Sequence, residues 1–245
     1  MKRAKNITDL EISFNKGTIL VVSDVHIPFH DPDAVKAFIK YSKKVQPKAI
    51  VLNGDIMDFF RLSRFTKGEG RNPLEEITLC RSFLSELRKN NPDANIYYVI
   101  GNHETRLERY VMEKAPALVS LIEDVFSILK VKDFNIHGCA SITMNNSFVF
   151  KHGTLLGNKS GLSAIKEIEK AYMSGCSGHT HRLAKFITRK SGRKFVWAEG
   201  GCLCDLEPEY CINPDWQQGF VRIDVEKSRI KSLKAIEIEK GEVLE

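Results

Sequence analysis

Five short clusters of His, Asp and Asn recur along the sequence. They are S-D-V-H (Asp24, His26), N-G-D-I-M-D (Asp55), G-N-H-E (Asn102, His103), the pair His152-Gly153, and G-H-T-H (His179, His181). Carboxylates and imidazoles suit divalent Mn, Fe, Zn or Ni. Residues i and i+2 of an extended segment point the same way, so Asp24 with His26, and His179 with His181, are each expected to aim two ligands at one place. Gly54, Gly101, Gly153 and Gly178 stand beside these residues and permit turns that bring backbone close to a site. Taken singly, each cluster has an ordinary use: a hydrogen-bonded turn, or an N-cap opening a helix at Glu104. Their joint, ordered occurrence is the signal, and it takes up five of the seven histidines. His30 and His137 read as surface or turn residues.

The elements around the clusters explain the order. Thr18–Val22, Ala49–Leu52 and Asn95–Ile100 read as strands, and Asp33–Val45 and Leu74–Arg88 as helices. In the second helix Leu74, Ile77, Phe83, Leu84 and Leu87 are expected on one face. Two further helical stretches are expected near Glu104–Met112 and Pro116–Leu129. The second half reads as hairpins around Asn145-Asn146 and Ser191-Gly192, a helix near Ser163–Tyr172, and a last strand pair, Phe220–Val225 with Ile230–Ile238. The charged tail from Glu226 reads as a solvated strand edge. Each cluster therefore follows a strand, at the sheet edge where open α/β sheets bind ligands. The expectation is one domain over residues 1–245, with two packed sheets and helices outside.

The ordered set D-x-H, G-D-x-x-D, G-N-H-E, H-G and G-H-T-H resembles the calcineurin-like metallophosphoesterase family, from Asp24 to His181. The resemblance implies a four-layer αββα fold, a two-sheet β-sandwich flanked by helices, with two divalent metals at the sheet edge. Carried over by position, Asp24, His26, Asp55 and His181 would hold one metal. Asp55, Asn102, His152 and His179 would hold the other, with Asp55 bridging. His103 would contact the substrate phosphate and protonate the leaving group. Two adjacent cations lower the pKa of a shared water and clamp phosphoryl oxygens. Asp58 reads either as a partner orienting a ligand histidine or as a cap.

Candidate phosphate contacts are the arginines near the motifs: Arg61, Arg64, Arg106, Arg109 and Arg182, of which Arg106 lies one turn from His103. Arginine presents a planar fork that matches phosphate oxygens. The segment Gly200–Trp216 reads as a long loop, with Tyr210 and Trp216 as residues that stack on a base or simply pack. The R-L-S-R-F and W-Q-Q-G-F runs are similar to compact bacterial and phage-encoded family members, some of which are deoxynucleoside-5'-monophosphatases. The expected activity is thus a dimetal phosphomonoesterase on a nucleotide-like substrate, with Mn favoured. The alternatives are a phosphodiesterase or nuclease on DNA, RNA or cyclic nucleotides, a Ser/Thr protein phosphatase, or an idle metal-binding scaffold.

Composition bounds these readings. The chain has 245 residues, 42% hydrophobic and 28% charged, which fits a globular protein with a sizeable core rather than a disordered one. The net charge of +6 is a mild excess, and no run of 18 apolar residues predicts a membrane span. No apolar stretch follows the basic start Met1–Lys5, so the expected compartment is the cytoplasm. The six cysteines lack C-x-x-C pairing and read as reduced, mostly buried thiols.

Overall fold

In chain order the strands are β1 (Leu10–Ile12), β2 (Gly17–Val22), β3 (Ala49–Leu52), β4 (Asn95–Val99), β5 (Ile136–Cys139), β6 (Ile142–Met144), β7 (Phe148–Phe150), β8 (Ser174–Ser177), β9 (Leu183–Lys190), β10 (Arg193–Gly200), β11 (Gly219–Glu226), β12 (Arg229–Glu239) and β13 (Glu242–Leu244). The α-helices are α1 (Pro32–Val45), α2 (Pro73–Asn90), α3 (Arg106–Lys114), α4 (Val125–Leu129) and α5 (Leu162–Ala171). The structure, a computed structural model, describes residues 7–63, 72–157, 159, 161–208 and 214–245. Arg64, Tyr210 and Cys211 lie outside the described residues.

The β-branched runs of β2 and β3 are buried throughout their apolar length because both faces of their sheet are covered. That sheet has seven strands in the order β13-β12-β11-β2-β3-β4-β5, with β2 to β5 parallel and β11 to β13 antiparallel. The second sheet runs β1-β6-β7-β8-β10-β9. Ile19, Val21 and Val51 from the first sheet meet Phe148, Phe150 and Cys176 from the second in one core layer. The opposite face of the first sheet, with Leu20 and Leu52, lies in a core with Phe38 of α1 and Leu84 of α2. Helix α5 places Ala164 and Ile168 against Phe195 and Trp197 on the outside of the second sheet. The four layers are αββα.

Local chemistry sets the helix ends. The Asp31 side chain accepts from the Asp33 and Ala34 amides ahead of Pro32, and Gln46 closes α1 in a left-handed conformation just before Pro47. Asn72 caps α2 by accepting from the Glu75 amide. Leu74, expected on the buried face of α2, is instead 73% exposed; the buried stripe is Glu76, Cys80, Phe83, Leu84 and Leu87. The stretch Pro116–Leu129 is not one helix. A 3-10 segment, Pro116–Leu121, ends at extended Ile122, and Asp124 then caps the short α4 through the Phe126 and Ser127 amides. The helix after G-N-H-E begins at Arg106, because Gly101–Thr105 is spent on a turn. The charged tail is more than a wet edge: β12 lies between β11 and β13, and buries Leu233, Ile236 and Ile238.

Candidate metal centre

All five clusters leave the C-terminal ends of strands, three from the first sheet (β2, β3, β4) and two from the second (β7, β8). Because both sheets end at the same rim, residues as distant in sequence as Asp24 and His181 become neighbours. The His181 Nε2 atom is 3.3 Å from Asp24 Oδ1 and 3.0 Å from His26 Nε2. The His152 Nε2 atom is 3.1 Å from both Asp55 Oδ2 and Asn102 Oδ1. Asp55 Oδ2 is also 4.0 Å from His26 Nε2 and 3.6 Å from His103 Nε2. His179 contributes to the Asp55 and His152 group, with its ring centroid 5.2 Å from that of His152.

The backbone that delivers these side chains differs from the expected extended pairs. Asp24, His26, Asp55, His179 and His181 all have positive φ, between 52° and 71°. Each residue is therefore turned inward by a left-handed kink, a conformation that costs energy for residues with a Cβ and is held by the surrounding contacts. The Asp24 carboxylate accepts from the His179 amide at 2.9 and 3.1 Å, and Asp55 Oδ1 accepts from the His103 amide at 2.8 Å. Two glycines are required by close approach. A Cβ on Gly54 would lie 2.5 Å from His152 Nδ1, and one on Gly178 would lie 2.5 Å from Asp24 Oδ2.

A second ring of contacts fixes the donors. Asp58 Oδ2 is 2.9 Å from His26 Nδ1 and 3.0 Å from His103 Nδ1, and Asp58 Oδ1 accepts from Arg106 at 2.7 Å. His152 Nδ1 faces the Asn53 carbonyl at 3.0 Å. His181 turns Nδ1 toward Cys204 Sγ at 3.7 Å, and Trp216 packs on its ring at 4.2 Å. The beginning of the Gly200–Trp216 segment is therefore floor rather than free loop: the Leu203 amide donates to Asp24 O, and Cys202, Leu203 and Cys204 are buried.

Glu104 is the residue that sequence reading valued too little. Its buried carboxylate accepts from the amides of Asp55 (3.0 Å), Ile56 (2.8 Å), Met57 (3.3 Å) and Gly101 (2.8 Å), and from the Tyr98 hydroxyl (2.7 Å). It ties the Asp55 turn to the Asn102 turn. The motif G-N-H-E contains it, but nothing local distinguishes such a residue from a helix cap.

The arginines separate. Arg106 donates to Asp58 and lies 2.9 Å from His103 Nε2. Arg109 donates to the Asn102 carbonyl at 2.6 Å. Arg182 is engaged by Asp215 at 3.1 Å and by the Gly157 carbonyl at 2.8 Å. Arg61 sits half-buried in the 3-10 turn Phe60–Leu62, three residues past Asp58. His137 is exposed on β5, as expected, whereas His30 is half-buried with its backbone bridged to Cys204.

The electrostatics follow from burying carboxylates among imidazoles. Burial opposes ionisation of Asp24, Asp55 and Asp58, yet His181, His152 and the His103–His26 pair respectively hold them well below the usual carboxylate range. Burial likewise opposes the imidazolium forms of His152 and His181, but Asp55 and Asp24 outweigh it and push both up to about 9. His103 and His179 go the other way, lowered by burial. Burial and the charge of Asp55 raise Glu104.

The donor set fits divalent cations. Among the described residues, Asp24, His26 and His181 form one group with donor atoms within 4.8 Å of one another, and Asp55, His152 and His179 form another. Carboxylate oxygens and imidazole nitrogens converge there, and Asp58, the Asn53 carbonyl and Cys204 stand behind His26, His152 and His181.

The sequence profile of the calcineurin-like phosphoesterases matches residues 17–183. The chain belongs to the calcineurin-like phosphoesterase family. Within curated sequences this phosphoesterase-family chain is similar to the Gene 54 protein of Mycobacterium phage L5, 30% identical over 233 residues that cover 87% of this chain and 91% of that protein. The Gene 54 protein of Mycobacterium phage D29 is also 30% identical, over 234 residues with the same coverage. Among solved structures, Vacuolar Protein Sorting 29 from Cryptosporidium parvum shares the fold, with TM-score 0.53, 14% identity, and coverage of 94% of this chain and 96% of that one. Vps29 from Entamoeba histolytica, complexed with Zn2+, matches with TM-score 0.50, 13% identity, and 93% and 96% coverage.

Proposed function

We propose that this chain is a two-metal phosphomonoesterase acting on a nucleotide-like substrate. The observation that carries the reading is the position of Asp55 Oδ2, within 3.1 Å of His152 Nε2 and 4.0 Å of His26 Nε2, between the two groups of donors. Asp24, His26, Asp55 and His181 would hold one cation, and Asp55, Asn102, His152 and His179 the other. When bound, the two cations supply activation of water and neutralisation of phosphoryl charge. Manganese is the favoured activating ion, on the oxygen and nitrogen donors present.

The remaining steps belong to the chain's own residues. His103 faces Asp58 through Nδ1, which fixes Nδ1–H, and leaves Nε2 to accept from Arg106 in the resting site. A phosphate dianion arriving beside Nε2 favours the imidazolium, the form that protonates the leaving oxygen. Arg106, already one turn from His103, presents its fork to the same phosphate. Trp216, half-buried against His181, offers an aromatic face at the rim that suits a base. Residues 1–245 act as one domain, and the five cysteines among the described residues, all free and buried, fit a reducing cytoplasm. No helix among the described residues is long and apolar enough to cross a membrane.

A panel of esters with Mn(II) tests this reading. A nucleoside 5'-monophosphate is expected to turn over, while a bis-ester and a phosphopeptide stay intact. Cleavage confined to the bis-ester or the phosphopeptide, or no turnover at all, overturns it.

A further inference from the structure

Strand β9 starts two residues beyond His181 and runs away from the metal centre for eight residues, about 26 Å at roughly 3.3 Å per residue, before β10 returns. The outer half of this hairpin is a two-stranded ribbon, because β8 pairs β10 only at Trp197–Glu199. Residues 183–198 contain Lys185, Arg189, Lys190, Arg193 and Lys194 and no acidic residue, so they account for all but one unit of the chain's +6. All five are exposed. None forms an ion pair with another described residue, whereas Arg182 at the root is paired with Asp215.

The pairing is unfavourable by design. Arg189 stands opposite Lys194, and Lys190 opposite Arg193, so like charges face each other directly. Lysine on an edge strand guards against aggregation. That need is met by β9 alone and does not call for Arg193 and Lys194 on the inner strand. Lys185, Ile187 and Arg189 alternate onto one face, which Lys194 shares, so cations lie along the ribbon from the rim to the tip. Ser191-Gly192 at the tip and the single exposed Ile187 offer too little apolar surface to enter a lipid surface. A regular polyanion is the complementary partner, and a two-stranded ribbon is a shape that duplex DNA accepts in its major groove.

We infer that the β9–β10 hairpin binds the phosphate backbone of DNA, so that the ester presented to the metal centre sits at a DNA end. This rests on the phosphomonoesterase reading for the ester, but the binding itself does not. The test is fluorescence anisotropy of a labelled 5'-phosphorylated DNA duplex with the full chain in EDTA, where turnover cannot occur. Binding is expected to weaken with salt with a slope of log K on log salt of roughly −3 to −4, about −0.9 per neutralised phosphate. Lys185→Glu, Arg189→Glu and Lys194→Glu together are expected to weaken binding about tenfold or more and flatten that slope. Their melting temperature and their Mn(II)-dependent hydrolysis of p-nitrophenyl phosphate should stay at the wild-type level. The Gln versions at the same positions should fall between. Binding unchanged by the triple Glu variant overturns the inference, as does wild-type protein that floats with phosphatidylglycerol vesicles and ignores the duplex. Failure of the phosphomonoesterase reading would show separately, as absent hydrolysis with the anisotropy result intact.

Discussion

Asp58 Oδ2 lies 2.9 Å from Nδ1 of His26, on the side of the ring opposite Nε2, which faces His181 Nε2. The same carboxylate also holds His103 and Arg106, so one side chain aligns the residues proposed as metal donor, proton donor and phosphate contact. Asp58→Asn should therefore lower metal affinity or kcat/KM by about ten- to a hundredfold. Metal titration and steady-state kinetics on the same variant check it; unchanged values would make Asp58 a simple cap.

His103 should behave differently from the ligands. His103→Gln is expected to keep both metal equivalents while kcat falls by about 10²- to 10⁴-fold, most for esters with poor leaving groups. Metal content measured beside the rate separates the two roles, and a loss of metal would place His103 among the ligands instead.

Glu104 ties the Asp55 turn to the Gly101–Asn102 turn through five hydrogen bonds. Glu104→Ala leaves buried donors unpaired, at about 1–3 kcal/mol each, so a loss of about 3 kcal/mol or more is expected. For a chain of this size that is a fall in Tm of roughly 6–12 °C. A scanning calorimeter reads it; a shift under about 2 °C would show that water replaces the carboxylate.

Glu76 gives a pH signature. Its side chain is buried beneath Phe60, Oε1 has no hydrogen-bond partner among the described residues, and burial with the nearby Asp58 charge raises its pKa from 4.5 to about 7. A carboxyl that holds its proton more tightly when folded stabilises fully below its unfolded pKa, and that contribution is lost as pH rises through the folded value. Between about pH 4.5 and pH 7 stability should decline on the order of 2–3 kcal/mol from this group, and Glu76→Gln should remove the decline. Urea unfolding across that window checks it, and parallel curves for the two proteins would contradict it.

Much of the scaffold was legible in the sequence because its parallel strands are short β-branched runs and its helices carry caps and prolines. The convergence of the Asp, His and Asn clusters was legible for a different reason: their types and order recur in a pattern that packing does not require. What sequence could not convey lies in tertiary context. Ser174–Ser177 has no hydrophobic pattern, and it is a strand because β7 and β10 supply hydrogen-bonding partners on both sides. Leu10–Ile12 likewise depends on β6. Asp and His tolerate the left-handed region better than most residues, but the kinks at Asp24, His26, Asp55, His179 and His181 are fixed by contacts from elsewhere that offset their cost. The role of Cys204 behind His181 arises only once two distant segments meet.

The converging Asp, His and Asn side chains, with Asp55 shared, make up the proposed two-metal centre for phosphoester hydrolysis. The direct measurement is turnover of p-nitrophenyl phosphate by metal-stripped protein titrated with Mn(II), wild type against Asp55→Asn. Wild-type activity should rise from background and saturate as two equivalents bind, and Asp55→Asn should stay at background throughout. Hydrolysis that survives chelation, or Asp55→Asn turning over like the wild type, would contradict the account.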